Sequence, residues 1–90
     1  MLRTYCIIVA GKVQGVFFRQ GTKEKANALG IHGTVSNEPD ETVLIIATGL
    51  PEQLDELVKW CHEGPPRAKV THVTVSELPL LAFTGFTIER

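Results

Sequence analysis

Two helix-forming stretches set among five β-prone runs, in the order β-α-β-β-α-β with a short terminal fifth strand, predict an α+β two-layer sandwich. Three observations carry this. A turn through Gly11 and Gly15 separates an apolar β run from an amphipathic helical pattern. Pro39 and Asp40 stand between two β-prone runs as a hairpin signal. Pro51 then opens a second helical pattern, which Gly64-Pro65-Pro66 closes. Two split βαβ crossovers of this kind make a ferredoxin-like sandwich, with two helices on one face of a mainly antiparallel sheet. The hairpin in 31–48 rules out a purely parallel sheet.

The first strand, Arg3–Ala10, is rich in Ile and Val. The first helix carries Phe18, Thr22, Ala26 and Leu29 at i, i+4, i+8 and i+11, one apolar face, and Gln20, Lys23, Glu24 and Asn27 cover the other side. Gly21 inside it costs about 1 kcal/mol relative to alanine, and Gly30 closes it. Ile31–Asn37 is the second strand, Glu38–Glu41 the turn, and Thr42–Thr48 the third strand. Leu54, Leu57, Val58 and Cys61 mark the inner face of the second helix. Lys69–Glu77 follows as a fourth strand and Phe83–Glu89 as a short fifth.

The chain has 90 residues, read as one domain over 1–90, which is enough to bury roughly 60–65% of its unfolded surface around one core. Nine Lys and Arg against ten Asp and Glu, with no run of either sign, give no electrostatic footprint for nucleic acid or an anionic membrane. Any anion site must be local. No apolar run approaches the roughly 20 residues of a bilayer span, and the short Tyr5–Ala10 run lacks a signal-peptide cleavage site; a cytoplasmic protein is the expectation. Cys6 and Cys61 are too sparse for a disulfide framework, and a cytoplasmic setting favours reduced thiols, although sequence leaves a Cys6–Cys61 bridge open.

The chemistry concentrates in Gly11-Lys12-Val13-Gln14-Gly15-Val16-Phe17-Phe18-Arg19. Glycines admit close backbone approach. Successive amide N–H groups converge on one oxyanion, and the positive end of the helix dipole faces the same point. A guanidinium at the helix mouth completes a phosphate socket. The backbone from Gln14 through Gly15, Val16 and Phe17 to Phe18 is the cradle, and Arg19 is the charge. A right-handed crossover makes strands one and two parallel, so Asn37 ends at the same sheet edge, within about 10 Å across one intervening strand. Its carboxamide both donates and accepts, which suits holding a water molecule. It equally suits serving the turn before Pro39, and spacing alone leaves both readings open.

These residues resemble the acylphosphatase family. The likeness runs through Gly11-x-Val13-Gln14-Gly15-Val16-x-Phe18-Arg19-x-x-Thr22 and Ala26-x-x-Leu29-Gly30-Ile31-x-Gly33-x-Val35-x-Asn37. It continues in Trp60, Gly64-Pro65-Pro66-x-Ala68-x-Val70 and Phe83-x-x-Phe86-x-Ile88. The resemblance implies hydrolysis of carboxyl-phosphate bonds of small acyl phosphates to a carboxylate and inorganic phosphate. Water attacks directly, without metal, cofactor or covalent intermediate, in a monomer. It casts Arg19 as the phosphate-binding arginine, Asn37 as the residue holding the attacking water, and the Gln14–Phe18 backbone as the amide cradle. Thr34, Glu41 and Gly21 depart from the family pattern, where an aromatic, a glycine and a larger side chain are usual. The alternative is a non-catalytic phosphate- or anionic-metabolite-binding module of the same fold, which needs the cradle but not Asn37.

Competing motifs have blander readings. Gly11-Lys12 lacks the upstream glycine and the Ser/Thr of a Walker loop. Gly30-Ile31-His32-Gly33 matches an RNA-binding GXXG loop but sits between a helix and a strand, where a cap and tight strand entry suffice. Phe17 and Phe18 read as loop packing and core. His32, His62 and His72 fall on three elements without metal-ligand spacing and read as surface residues.

Overall fold

The computed structural model describes residues 1–89. Its elements are β1 (Arg3–Lys12), α1 (Phe18–Leu29), β2 (His32–Asn37), β3 (Val43–Gly49), α2 (Pro51–Glu63), β4 (Lys69–Leu78) and β5 (Phe86–Glu89). The strands form one sheet in the order β4-β1-β3-β2-β5. All pairings are antiparallel except that of β5 with β2, so the sheet is mixed. This is the ferredoxin-like arrangement expected, with β1 and β2 parallel to each other on either side of β3.

Two boundaries moved by more than one residue, each for a physical reason. The first strand continues beyond Ala10 to Lys12 because β4 offers partners for both added residues after a bulge at Ala10/Gly11. Gly11 has φ 122, and a side chain there would meet the Lys69 carbonyl oxygen at 2.2 Å, so only glycine lets the two strands stay paired through the bulge. The fifth strand starts at Phe86 rather than Phe83. The preceding segment is fastened to the sheet end instead: Thr4 and Thr48 hydroxyls meet at 2.6 Å, Thr48 donates to the Leu81 carbonyl at 2.8 Å, and the Leu81 N–H donates to Thr4 Oγ1 at 2.9 Å. That triangle satisfies two buried hydroxyls without a ladder.

Strand alternation divides the sheet faces. Ile7, Val9, Val35, Val43, Ile45 and Ala47 are fully buried under the helices, whereas Ile8 on the opposite face is exposed. Phe18, Thr22 and Ala26 of α1 and Leu54, Leu57 and Cys61 of α2 close the core from above. Thr22 is satisfied by donating to the Phe18 carbonyl at 2.8 Å. The Phe18 ring sits 5.3 Å from that of Trp60, tilted by 56°. Gly21 leaves room for this: a Cβ there would lie 3.0 Å from the Trp60 ring. The helix-weakening glycine is thus the residue that lets α1 and α2 approach.

Cys6 lies on the sheet face opposite the helices and Cys61 beneath α2, with the sheet between them, and both are free thiols. Among the described residues no helix is long and apolar enough to cross a membrane.

Candidate active site

The loop from β1 to α1 builds the site from backbone geometry. Gly15 (φ 72) and Phe17 (φ 66, ψ 24) are both left-handed, while Val16 between them is not. Alternation of this kind turns successive N–H groups toward one side, the geometry of an anion-binding nest. The helix then begins, with the Gly21 N–H donating to the Phe17 carbonyl at 3.0 Å. The α1 N-terminus has no side-chain cap and no acidic residue in its first turn. By contrast α2 has Glu52 in its first turn, and its Gln53 side chain accepts from the Leu50 N–H at 2.9 Å. The first amides of α1 and the positive end of its dipole therefore remain available to an anion.

Arg19, the second residue of α1, is half-buried and makes no ion pair among the described residues. Asn37 ends β2 opposite Val43. Both line one pocket of about 340 Å³, together with Gly15, Phe17, Phe18 and Gln20 from the cradle and helix mouth. Val13 and Ile88 complete the lining. The topology thus brings the two sequence-chosen side chains together, as the parallel placement of β1 and β2 requires.

The hydrogen bonds of the hairpin turn are made by the neighbours of Asn37. The hairpin turn is held by the Glu38 N–H donating to the Thr42 carbonyl (2.9 Å) and the Glu41 N–H to the Glu38 carbonyl (3.0 Å). Asp40 Oδ1 accepts from the Thr42 hydroxyl (2.6 Å) and the Thr42 N–H (3.1 Å), which together hold the Asp40 carboxyl below its ordinary pKa. Asn37 takes no part in the turn. Its Oδ1 is buried without a hydrogen-bond partner among the described residues. An unmatched buried acceptor on a pocket-lining residue is an exception that calls for a reason beyond the turn.

Within the cradle stretch, Gly15, Phe17 and Phe18 line the pocket, and Gln14 and Val16 do not. Val16 is buried in the core. Gln14 has a side-chain task that the motif does not announce: Nε2 donates to the carbonyls of Glu38 and Thr42, both at 2.9 Å. Those two bonds strap the cradle to the hairpin that starts one residue after Asn37. Ile88 was also not expected at the site. Its place follows from β5 pairing alongside β2, where Ile88 stands opposite Val35; its spacing of two from buried Phe86 is the signal that could have found it.

The other motifs take their blander readings. Lys12, His32, His62 and His72 are exposed, and Gly30 is a left-handed helix cap. Phe18 is core, but Phe17 is not packed into the loop as expected: the residue is 73% exposed. Among the described residues no three His, Cys, Asp or Glu cluster as metal ligands.

The family model of acylphosphatase matches residues 5–88. The chain belongs to the acylphosphatase family. An acylphosphatase of Marinobacter nauticus is 52% identical over 81 residues, covering 89% of this chain and 88% of that one. The crystal structure of the Bacillus subtilis acylphosphatase superimposes with a TM-score of 0.95 at 37% identity and covers 100% of both chains. The structure of an acylphosphatase from Coxiella burnetii gives 0.95 at 34% identity, covering 98% of this chain and 93% of that one. These acylphosphatases do not favour the non-catalytic module. The three departures from the family pattern lie outside the Arg19–Asn37 pocket lining: Gly21 seats Trp60, Thr34 is a half-buried β2 residue, and Glu41 holds a left-handed turn position at φ 72.

Proposed function

We propose that this acylphosphatase hydrolyses the carboxyl-phosphate bond of small acyl phosphates by direct attack of water, with Arg19 and the 14–18 amides binding the phosphoryl group and Asn37 holding the water. The observation that carries this reading is that Asn37, whose buried Oδ1 has no hydrogen-bond partner among the described residues, lines one pocket with Arg19, which makes no ion pair among them.

The chemistry needs few groups. The leaving carboxylate derives from an acid of pKa about 4, so it departs without a proton. Phosphoryl transfer rests on positioning and charge stabilisation, which the guanidinium and the nest amides supply at the equatorial oxygens. Asn37 orients the water and cannot deprotonate it. A substrate phosphate oxygen, with a second pKa near 6, accepts the proton. Each step thus uses a group already in the pocket or on the substrate.

The same reading takes the chain as one domain over 1–90 and a cytoplasmic monomer acting on a small molecule, not on nucleic acid or membrane. Balanced charge and two free thiols kept apart by the sheet support it.

The test is release of inorganic phosphate from benzoyl phosphate in the presence of EDTA. Turnover undiminished by the chelator is expected, with competitive inhibition by inorganic phosphate. Arg19→Ala should lose both turnover and that inhibition. A folded wild type that binds phosphate and turns over no acyl phosphate would sink the reading.

A further inference from the structure

Phe17 carries two costs at once. It is the one aromatic among the described residues left largely exposed, at 73%. It also holds a left-handed backbone (φ 66) that bulky side chains avoid. Glycine would make the same nest without either cost, as Gly15 does two residues earlier. The ring therefore earns its place by something other than folding.

Its location says what. Phe17 lines the pocket beside Arg19 and Asn37, with Gly15, Gln20 and the apolar Val13, Phe18 and Ile88. Phe18 and Val13 are buried in the core, so they are closed floor; Phe17 is the apolar wall that stands in solvent. In an acyl phosphate the acyl group begins one oxygen away from phosphorus. With the phosphoryl group held by the nest, whose second left-handed residue is Phe17 itself, the exposed Phe17 side chain is an apolar surface in the same pocket for the acyl group to lie against.

We propose that Phe17 is a specificity-determining residue: its ring is the surface on which the acyl group packs, so the site prefers acyl phosphates bearing a flat apolar or aromatic acyl group over those bearing a short aliphatic one. The proposal rests on the acylphosphatase reading. Stacking of ring on ring removes apolar surface of both partners from water and adds an aromatic contact. Because that contact is made equally before and during bond cleavage, it lowers KM and leaves kcat little affected.

The test compares kcat/KM for benzoyl phosphate with that for acetyl phosphate in the wild type and in Phe17→Gly, Phe17→Asn and Phe17→Trp. Glycine and asparagine both tolerate the left-handed backbone, so the nest survives in each. The benzoyl-to-acetyl ratio should fall about tenfold in the glycine and asparagine variants, through the benzoyl phosphate KM, and should be restored in the tryptophan variant. If the glycine variant does not fold, the asparagine variant decides. An unchanged ratio in an active asparagine or glycine variant overturns the proposal and leaves the acylphosphatase reading standing. A wild type that hydrolyses neither compound overturns both.

Discussion

Asn37 and Glu41 show how much a single position in the β2–β3 hairpin can carry. Asn37 could have been a turn residue by type and place, and only the bonds of its neighbours remove that role. No sequence pattern distinguishes a carboxamide facing a turn from one facing a pocket, so that distinction was not legible before the fold. The place of Arg19 at the helix mouth was legible, because the helical pattern starts there after a glycine turn. Glu41 pays for a left-handed conformation (φ 72) that glycine adopts freely. Glu41→Gly should stabilise the fold by about 0.5 kcal/mol, strain relief outweighing the added chain entropy, and raise Tm by about 2–4 °C. Thermal unfolding reads this directly, and a lowered Tm would show that the turn is not strained at this residue.

At the scale of elements, the loop before α1 and the β2–β3 hairpin act as one unit. Both Gln14 Nε2 hydrogens are spent on the hairpin carbonyls of Glu38 and Thr42. This strap ties the amide nest to the hairpin that follows Asn37, the residue proposed to hold the water. Gln14→Leu keeps the bulk and removes both donors, leaving those carbonyls to solvent. Its kcat should fall about tenfold with KM changed less, and the fall should disappear in an Asn37→Ala background, because misplacing an absent side chain costs nothing. Equal losses in both backgrounds would make Gln14 a purely structural residue. The elements themselves were read correctly in kind and order from periodicity and turn chemistry. Their ends were not: β1 ran on to Lys12 because β4 lies beside it, and β5 began late because Thr4 and Thr48 hold 81 away from the ladder. Both ends are decided by partners distant in the chain, which local pattern does not contain.

For the whole molecule, topology is what makes the site. Parallel β1 and β2 place two residues eighteen positions apart at one sheet edge, and this followed from the β-α-β-β-α-β order before any coordinates. The position of β5 beside β2, and with it Ile88 in the pocket, did not follow, since a short terminal strand can pair at either free edge. At alkaline pH, global stability carries the signature of the Cys61 thiol. Burial pushes the Cys61 thiol up to about 12 from its ordinary 9.0. Above pH 9 the unfolded chain releases a proton that the folded chain keeps, so stability falls as pH rises from about 9 to about 12, by up to about 1.4 kcal/mol per unit, and is unaffected by this group below 9. Urea unfolding between pH 9 and 11 should show a shallower decline for Cys61→Ala than for wild type; parallel declines would mean the thiol is not desolvated.

The central claim is that Asn37 holds the attacking water beside an arginine-lined phosphate nest. The most direct measurement is steady-state hydrolysis of benzoyl phosphate by wild type and Asn37→Ala. The account predicts that kcat falls about a hundredfold while KM changes by less than about threefold, because the phosphoryl group is still bound and only the nucleophile is misplaced. A wild-type kcat in the variant, or a KM that rises as much as kcat falls, would contradict it.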